Sequence, residues 1–323
     1  MILTNQELRP LLTGTAEITE QEGRLRPYRF GKHVREVVYP EGHRFHDATL
    51  HTSGVTLRFC TDSTHLSYRY SYTPAAPGSS FDTFVDGILL HHAPATAESG
   101  SVSLTLPAGK KTVTVYYPHH AIAQLYDLEL DDGATLEPAP APALRILFVG
   151  DSITHGSSSP FASLTYPHQV AELLHAEIVN QGISGAYFNP YATDDELQFT
   201  PDMVVLAFGT NDWSQTTRGI FVGAVNGHFA RLRDKYPEIP IVSILPLWRA
   251  DHTRITAVGS FEDAREIIRD AATRYDIHVV DGVELIPHVT DVFADSRLHP
   301  NAFGFQFYAE ALAEKLSEIR RHV

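Results

Sequence analysis

Short runs in which apolar and polar residues alternate fill the first part of the chain, with turn residues between them. Alternation with a period of two is typical of half-buried β-strands. The pattern predicts strands over residues 50–60, 65–72, 81–85, 88–91, 101–106, 111–117 and 125–130. Asp86-Gly87 is a good centre for a two-residue hairpin. The spacing of the strands favours a β-sandwich of the jelly-roll type.

The pattern changes after a segment in which proline alternates with alanine. Residues 137–143 are Glu-Pro-Ala-Pro-Ala-Pro-Ala, and alternating proline withholds backbone donors and keeps the chain extended. We interpret this segment as a stiff linker and set a domain boundary near residue 143. The sequence therefore predicts an all-β accessory domain over 1–143 and a second domain over 144–323.

Beyond the linker, continuous apolar runs alternate with helical periodicity, which is typical of a parallel sheet covered by helices on both faces. Strands are predicted over residues 145–149, 177–180, 203–208, 241–245 and 277–280. Helices are predicted over 166–174, 219–236, 261–275 and after residue 301. The second domain is therefore expected to be a three-layer α/β fold with five parallel strands.

Composition and charge indicate which partners and which cellular compartment to expect. The chain has 323 residues and a formal net charge of −14, which repels nucleic acid and anionic membrane surfaces. Residues 1–7 lack the basic and apolar regions of a secretory signal, and no span is apolar enough to cross a bilayer. The single cysteine, Cys60, is compatible with a reducing compartment. A cytoplasmic protein without nucleic-acid or membrane partners is the expectation.

The most informative chemical signal is Gly150-Asp151-Ser152, directly after the predicted strand 145–149. Open α/β sheets build their sites at the carboxyl ends of the strands, so Ser152 is a candidate nucleophile. Asp and Ser after a strand are also common helix N-caps, because their side chains accept hydrogen bonds from free backbone amides. On this segment alone, both interpretations stay open.

Three later segments favour the catalytic interpretation. They are Asn-Gln-Gly-Ile-Ser-Gly at 180–185, Phe-Gly-Thr-Asn-Asp-Trp at 208–213 and Asp-Ser-Arg-Leu-His-Pro-Asn at 295–301. Taken in order, the four segments resemble the conserved blocks of the SGNH (GDSL-type) hydrolase family, over about residues 144–323. The resemblance implies a flavodoxin-like catalytic domain with Ser152 as nucleophile, Gly185 and Asn211 in the oxyanion hole and His299 as base.

One position departs from the family pattern. The family usually has Asp three residues before the catalytic His, and here that position is Ser296. The nearest acid, Asp295, comes four residues before His299. Two arrangements are open: the loop bulges by one residue so that Asp295 reaches the imidazole, or a backbone carbonyl orients His299 in a Ser-His dyad.

These residue types suit acyl transfer through an acyl-enzyme. A serine hydroxyl needs an adjacent base during attack, and histidine titrates in the useful range. The Gly185 amide, the Asn211 side chain and the Ser152 amide can each donate to the oxyanion. The alternative, structural roles are a left-handed turn at Gly185 and a helix cap at Asn211.

Residues beyond the third and fourth predicted strands are candidates for the walls of the substrate pocket. They are Trp213, Trp248 and Arg249. Arg249 either binds a carboxylate or a polar acyl acceptor, or it forms an ion pair with Asp251 or Asp212. The tyrosines of the first domain are candidates for stacking on sugars or, as is commoner for strand aromatics, for its core.

Metal ions and cofactors are not expected. The cluster of His43, His46 and Asp47 and the histidine pairs at 91–92 and 119–120 repeat no known ligand spacing with certainty, and adjacent histidines on a strand point to opposite faces. The sequence also has no Walker A or Gly-x-Gly-x-x-Gly element for nucleotide phosphates.

A small β domain before the catalytic one resembles the arrangement of carbohydrate acetylesterases in the family. The expected function is a serine esterase that removes a short acyl group, acetyl above all, from a carbohydrate or another small-molecule ester. Two alternatives stay open. One is an acyltransferase with an alcohol as acceptor, and the other is an inactive carbohydrate-binding protein, since the usual acid is missing at position 296.

Overall fold

Strands dominate the amino-terminal part of the computed structural model, which describes residues 1–74, 80–94 and 97–322. These strands are β1 (Leu12–Thr13), β2 (Glu17–Gln21), β3 (Arg24–Tyr28), β4 (Thr56–Thr61), β5 (His65–Pro74), β6 (Ser80–Val85), β7 (Ile88–Pro94), β8 (Ser99–Thr105), β9 (Lys111–Tyr116), β10 (Ala121–Leu130) and β11 (Glu137–Pro138). The helices are α1 (Asn5–Leu8), α2 (His46–Leu50), a 3₁₀ turn at Arg9–Leu11 and a π turn at Val34–Val38.

Two antiparallel sheets of this part pack face to face on one hydrophobic core. One sheet has the order β1-β4-β9-β6-β7, with β11 also paired to β4, and the other has the order β10-β5-β8. The rings of Phe81 in β6 and Tyr70 in β5 meet across the core, with centroids 4.9 Å apart. The six tyrosines that were candidates for sugar stacking are all buried: Tyr68, Tyr70, Tyr72, Tyr116, Tyr117 and Tyr126.

The strand predictions for this part are mostly confirmed, with one error and several omissions. The hairpin at Asp86-Gly87 is confirmed, since both residues have positive φ and Val85 pairs with Ile88. The strand predicted over 50–60 is wrong in its first half, because α2 ends at Leu50 and the strand begins at Thr56. The short strands β1 to β3 were not predicted, and Glu137–Pro138 joins a sheet instead of lying in a free linker.

An alternation of parallel strands and helices follows. The strands are β12 (Leu144–Gly150), β13 (Ala176–Gly182), β14 (Met203–Ala207), β15 (Ile241–Ile244) and β16 (His278–Val280). The helices are α3 (Ser152–His155), α4 (Tyr166–Leu174), α5 (Thr210–Gln215), α6 (Arg218–Lys235), α7 (Phe261–Arg274) and α8 (Ala302–His322), with 3₁₀ turns at Ala162–Leu164, Gly282–Leu285 and Thr290–Val292. The five predicted strands and four predicted helices are confirmed to within two residues at the predicted bounds, and the single-turn helix α3 and the short α5 were missed.

Helices cover both faces of this parallel sheet. Successive residues of the central strand β12 point to opposite faces, so that Leu147 and Val149 pack with α6 and α7, whereas Ile146 and Phe148 pack with α4 and α8. The strands are ordered β13-β12-β14-β15-β16. This order reverses direction at β12, and doubly wound sheets bind ligands beyond the carboxyl ends of the strands at such a point.

The carboxyl ends of the three strands at this point are level. Gly150 at the end of β12 is in register with Gly182 of β13 and with Ala207 of β14. The residues that follow these strands therefore meet at one edge of the sheet. None of the helices in the described ranges combines the length and the apolar character that a membrane span requires.

A segment of the amino-terminal part packs onto the same α/β core. Phe30, Val34, Tyr39 and Phe45, which lie between β3 and α2, are buried in the cluster that contains β12 and β13. The domain boundary near residue 143 stays a prediction, but the two parts share an extensive buried contact. This contact lies beside the strand ends described above.

Candidate active site

Ser152 is the first residue of α3, two residues after the end of β12. The carboxylate of Asp151 caps this helix by accepting from the Ile153 amide at 3.0 Å. Since Asp151 fills the capping role, the Ser152 hydroxyl is free for another partner, and it lies 2.9 Å from Nε2 of His299. Asp151 therefore has the capping role, and Ser152 has the position expected of a nucleophile.

His299 lies between Ser152 and Asp295. Its Nδ1 is 2.8 Å from Oδ2 of Asp295. A carboxylate only accepts hydrogen bonds, so Nδ1 carries the proton and Nε2 is left to accept from the Ser152 hydroxyl. Of the two arrangements left open by the sequence, the structure has the bulged loop: Ser296 has φ = +55°, and this left-handed residue lets an acid four positions before His299 reach its ring.

Three backbone amides hold the Asp295 carboxylate in place. Its Oδ1 accepts from the amides of Arg297, Leu298 and His299 at 3.0, 2.7 and 3.1 Å. Partial burial raises the pKa of Asp295, but these hydrogen bonds and the one with the His299 ring outweigh it and bring the pKa down to about 2. Asp295 is therefore ionised throughout the neutral range.

Three N–H groups are available next to the Ser152 hydroxyl. Ser152 is the first residue of its helix, so its amide has no partner within the helix. Gly185 lies three residues beyond β13 with φ = +80°, a conformation that favours glycine. Across the described part of the chain, neither amide donates to a protein acceptor. The third donor is the Asn211 side chain, which lines the same cleft.

The side chains of α5 fix the loop that carries Gly185. Asn211 donates one amide hydrogen to the Ala186 carbonyl at 2.9 Å, and the second hydrogen remains for a ligand. Asp212 accepts from the Phe188 amide at 3.2 Å. Neither residue caps α5, whose N-cap is Gly209. The structure thus excludes the capping role that the sequence left open for Asn211.

Asp151 and Asp212 are two buried carboxyl groups beneath the site. Burial raises the pKa of Asp151 to about 7, against the hydrogen bond from Ile153 and the charge of Arg249. Burial also raises the pKa of Asp212 to about 7, and its proximity to Asp151 acts in the same direction. Both carboxyl groups titrate near neutral pH, unlike Asp295.

Buried polar contacts support the oxyanion loop from behind. Nδ1 of His155 accepts from the Ser184 amide at 3.2 Å, directly before Gly185. Arg29, which is fully buried, donates to the carbonyls of Asn180 and Gly182 at 2.8 and 2.6 Å. Burial lowers the pKa of Arg29 to about 9, so the guanidinium keeps its charge at neutral pH. The amino-terminal part therefore helps to fix the end of β13.

An open cleft of about 690 Å³ surrounds Ser152 and His299. Five serines line it: Ser152, Ser157, Ser158, Ser184 and Ser214. Three arginines also line it: Arg249, Arg254 and Arg297. Leu298 is the only large apolar side chain among the described lining residues. The cleft is therefore polar and rich in hydroxyl groups.

The predicted pocket walls are corrected by these contacts. Trp213 is fully buried beneath the Arg249 guanidinium and packs on Phe261, so it is a core residue and not a wall. Trp248 does not line the cleft, because its ring packs against His288, His252 and Phe293. Both tryptophans follow strand ends, but their side chains turn away from Ser152.

Arg249 lines the cleft, but most of its donors are bonded within the protein. It is 1% exposed and forms a bidentate ion pair with Asp251, with N–O distances of 2.6 and 3.0 Å. Its remaining nitrogen donates to the hydroxyl of Thr210 at 2.8 Å. The ion pair with Asp251 was one of the alternatives for this residue. Arg249 therefore has a structural role and holds Asp251 and Thr210 in place.

His51, His120 and His155 form one group whose ring nitrogens lie within 4.8 Å of one another, and two of them, His51 and His155, are buried. Because the Ser184 amide donates to Nδ1 of His155, the proton of this ring is on Nε2, which faces the His119 carbonyl at 3.1 Å. His155 thus aims no free lone pair into the group. The histidines fit a hydrogen-bond network better than a metal site.

Several of these residues had no signal in the sequence. Arg29 and His155 support the site from behind. Arg29 lies in no motif, and His155, three residues after Ser152, was given no role from the sequence. Arg297 stands inside the segment 295–301, but its spacing predicts only a loop position. Arg254 lies five residues beyond Arg249 in the sequence, and only the folded loop brings it to the cleft.

Comparison with known proteins agrees with this geometry. Residues 148–307 match the GDSL-like Lipase/Acylhydrolase family. The chain is 28% identical over 224 residues to an acetylxylan esterase of Xylanibacter ruminicola. That match covers 57% of this chain and 46% of the esterase, so the chain spans about half the length of this curated relative.

Two solved structures share the fold. The salicylyl-acyltransferase SsfX3 from a tetracycline biosynthetic pathway superimposes with a TM-score of 0.81 at 23% identity, over 99% of this chain and 97% of that one. A family two carbohydrate esterase from Clostridium thermocellum, in complex with cellohexaose, gives a TM-score of 0.69 at 19% identity, over 84% and 94%. Residues 148–307 of this chain thus form a domain of the GDSL-like Lipase/Acylhydrolase family.

Proposed function

We propose that this protein is a serine esterase that removes short acyl groups, acetyl above all, from a carbohydrate or a similar alcohol. One observation carries the proposal: the Ser152 hydroxyl, the His299 ring and the Asp295 carboxylate form a continuous hydrogen-bonded chain, with distances of 2.9 and 2.8 Å, next to three N–H donors. This arrangement has the parts that acyl transfer to serine requires.

In the first half of the reaction, Ser152 Oγ attacks the ester carbonyl carbon and its proton passes to Nε2 of His299. Asp295 keeps the ring in the required tautomer and stabilises the imidazolium. The carbonyl oxygen becomes an anion, which the amides of Ser152 and Gly185 and the side chain of Asn211 stabilise. His299 then gives the proton to the alcohol oxygen, the C–O bond breaks, and the acyl group stays on Ser152.

In the second half, water replaces the alcohol. The water loses a proton to Nε2 of His299 while its oxygen attacks the acyl carbon, and the same donors stabilise the second oxyanion. The intermediate collapses, the carboxylic acid leaves, and the proton returns to Ser152 Oγ. Each cycle therefore consumes one ester and one water and restores the enzyme.

The walls of the cleft support a short acyl group and a polar alcohol. A long acyl chain needs an extended apolar surface. The cleft lacks one, because Leu298 is the only large apolar side chain among the described lining residues. Serine hydroxyls and arginine side chains, by contrast, match the hydroxyl groups of a sugar. The acetylxylan esterase and the carbohydrate esterase among the similar proteins agree with this choice.

Hydrolysis is favoured over transfer to a second alcohol because the cleft is open to water. The resemblance to an acyltransferase concerns the fold. Turnover of an acetyl ester in the presence of a sugar acceptor decides between the two: we expect free acetate as the product, and formation of a new ester faster than acetate would show a transferase.

The architecture supports a division of labour between two domains. We assign the α/β part to a flavodoxin-like catalytic domain and the face-to-face sheets of the amino-terminal part to a jelly-roll-like accessory domain. The buried contacts of Arg29 with the end of β13 support a role of the accessory domain in holding the oxyanion loop.

Hydrolysis of p-nitrophenyl esters tests the proposal. The wild-type protein is expected to cleave the acetate faster than the octanoate, and Ser152→Ala is expected to abolish the activity above background. Ser103→Ala, on an exposed strand position of β8, is the matched control and keeps full activity. Unchanged turnover by Ser152→Ala in pure protein would show that the mechanism is wrong.

A further inference from the structure

Two arginines of the catalytic cleft are partly exposed, so that a ligand can reach them; one of them, Arg254, also lies over the Trp213 ring at 5.1 Å. The side chains of Arg254 and Arg297 are each 47% exposed, whereas Arg249 is 1% exposed and bonded to Asp251 and Thr210. Both lie near the same oxygen of Asp251, at 3.6 and 3.5 Å. Asp251 is thus shared among three guanidinium groups, since Arg249 already binds it in bidentate fashion.

This sharing leaves the cleft with a surplus of positive charge. Three guanidinium groups face one carboxylate, and none of the described residues that line the cleft is an aspartate or a glutamate. Asp295 lies behind the His299 ring and is occupied by three amides, and Asp151 and Asp212 are buried beneath the site and do not line the cleft. The surplus is local, because the whole chain has a net charge of −14. Such a cationic cleft attracts an anionic substrate.

The position of Arg297 indicates which part of an ester would carry the negative charge. Arg297 belongs to the loop of Asp295 and His299, two residues before the base. His299 hands its proton to the departing alcohol, so the alcohol leaves on the side of this loop. The shared oxygen of Asp251 brings Arg254 to the same side, with nitrogens of the two guanidinium groups within about 7 Å of each other.

We propose that Arg254 and Arg297 bind a carboxylate on the alcohol part of the ester, so that the preferred substrate is an acylated acidic sugar or a similar hydroxy acid. Guanidinium groups match the geometry of a carboxylate with charge-assisted hydrogen bonds. The serines of the cleft then face the hydroxyl groups of the same alcohol. This assignment of substrate class rests on the esterase function proposed above.

Matched pairs of esters test the proposal. The alcohol side is tested by 4-acetoxybenzoate against its neutral methyl ester, and the acyl side by 4-nitrophenyl hemisuccinate against 4-nitrophenyl butyrate. The measured quantity is the ratio of kcat/KM for the anionic ester to that for its neutral partner. Dividing the ratio of a variant by the ratio of the wild type cancels the intrinsic reactivity of each ester.

The double variant Arg254→Gln/Arg297→Gln is expected to lower the ratio for the acetoxybenzoate pair about tenfold, the size expected for loss of two partly exposed charges. The ratio for the hemisuccinate pair should change less than twofold. Arg231→Gln is the matched control, since Arg231 is 46% exposed and paired with Asp194 away from the cleft. It should leave both ratios unchanged.

Each other outcome overturns the proposal in a recognisable way. An unchanged acetoxybenzoate ratio in the double variant, with active enzyme, would refute carboxylate binding while the esterase function stands. A fall confined to the hemisuccinate ratio would place the carboxylate on the acyl part and contradict our assignment. If the wild type cleaves none of the four esters, the esterase function itself fails, and the proposed substrate class with it.

Discussion

The two sides of the catalytic cleft are built in different ways. On the base side, Asp295, Arg297 and His299 belong to one loop, and the hydrogen bonds that hold the Asp295 carboxylate join residues at most four positions apart. On the oxyanion side, Gly185 and Asn211 are held by contacts between distant parts of the chain, of which the bond from Arg29 to Gly182 spans 153 positions. The acid on the base side is thus held by a local turn, whereas the donors on the oxyanion side depend on contacts between distant segments of the chain.

This difference predicts how the two sides respond to substitution. The side chains of His299 and Asp295 are 25% and 33% exposed, so their removal exposes little apolar surface and leaves few buried groups unpaired. The donors and acceptors behind Gly185 are buried, and a buried polar group without a partner lowers stability by about 1–3 kcal/mol. Substitutions on the base side should therefore lower activity with little change in stability. Substitutions on the oxyanion side should lower both.

The largest effect on activity is expected on the base side. His299→Ala should lower kcat for p-nitrophenyl acetate by about 10⁶-fold and Asp295→Asn by about 10⁴-fold, because each removes a member of the proton-transfer chain. For His299→Ala, the free energy of unfolding, measured with urea, should change by less than about 1 kcal/mol. His33→Ala, at an exposed position, is the control. A large loss of stability in His299→Ala would break the comparison.

A smaller effect is expected from Asn211→Ala on the oxyanion side. The substitution removes one donor to the oxyanion, which lowers kcat by about 10²- to 10³-fold. It also leaves the Ala186 carbonyl without its partner, so the free energy of unfolding should fall by about 1–2 kcal/mol. Steady-state kinetics and urea unfolding of the same samples measure both. Full stability with a large loss of kcat would show that the two sides do not differ.

Arg29→Met sharpens the comparison, because Arg29 does not line the cleft. Four carbonyls lose a donor: those of Ala48, His51, Asn180 and Gly182. The free energy of unfolding should fall by about 3 kcal/mol, and kcat should fall about tenfold under conditions where the variant is still folded, because the end of β13 is no longer fixed. Arg69→Met, at an exposed ion pair, is the control. Unaltered kcat in the folded variant would remove the link between Arg29 and the oxyanion loop.

The smallest effect concerns the pH dependence of stability. Burial raises the pKa of Asp151 to about 7 from an ordinary value of 3.8. The folded protein therefore binds this proton between about pH 4 and 7 while the unfolded chain does not, and the contribution to stability is lost as the pH rises through 7. Asp151→Asn keeps the cap on Ile153 but cannot bind this proton. Urea unfolding should therefore show that the free energy of unfolding falls less between pH 5 and pH 8 in this variant than in the wild type. Equal losses in both proteins would contradict the raised pKa.

The sequence predicts the central strands of the α/β part well because β12, β14 and β15 are mostly apolar and are buried on both faces of the sheet. It fails at residues 50–55: Leu50 ends α2, and residues 51–55 are buried as strand residues are, but in an irregular segment that packs against the α/β part. Ser53, for example, donates to the His155 carbonyl at 2.8 Å. A pattern of buried positions cannot distinguish such a loop from a strand.

The candidate site shows the same division. The positions of Ser152, Gly185, Asn211 and His299 follow from their segments, because level strand ends bring neighbouring loops to one edge. The contact of Asp295 with His299 depends on a left-handed conformation at Ser296, which spacing alone does not specify. The prediction that Trp213 lines the substrate pocket was wrong, since a position after a strand does not fix the direction of the side chain.

The central claim is that Ser152 is a nucleophile activated by His299, and labelling with a fluorophosphonate tests it most directly. Mass spectrometry of the intact protein and of its peptides should find one adduct per chain, on Ser152. The adduct should be absent in Ser152→Ala and should form far more slowly in His299→Ala. Labelling of another residue, or no labelling of a folded wild-type protein, would contradict the account.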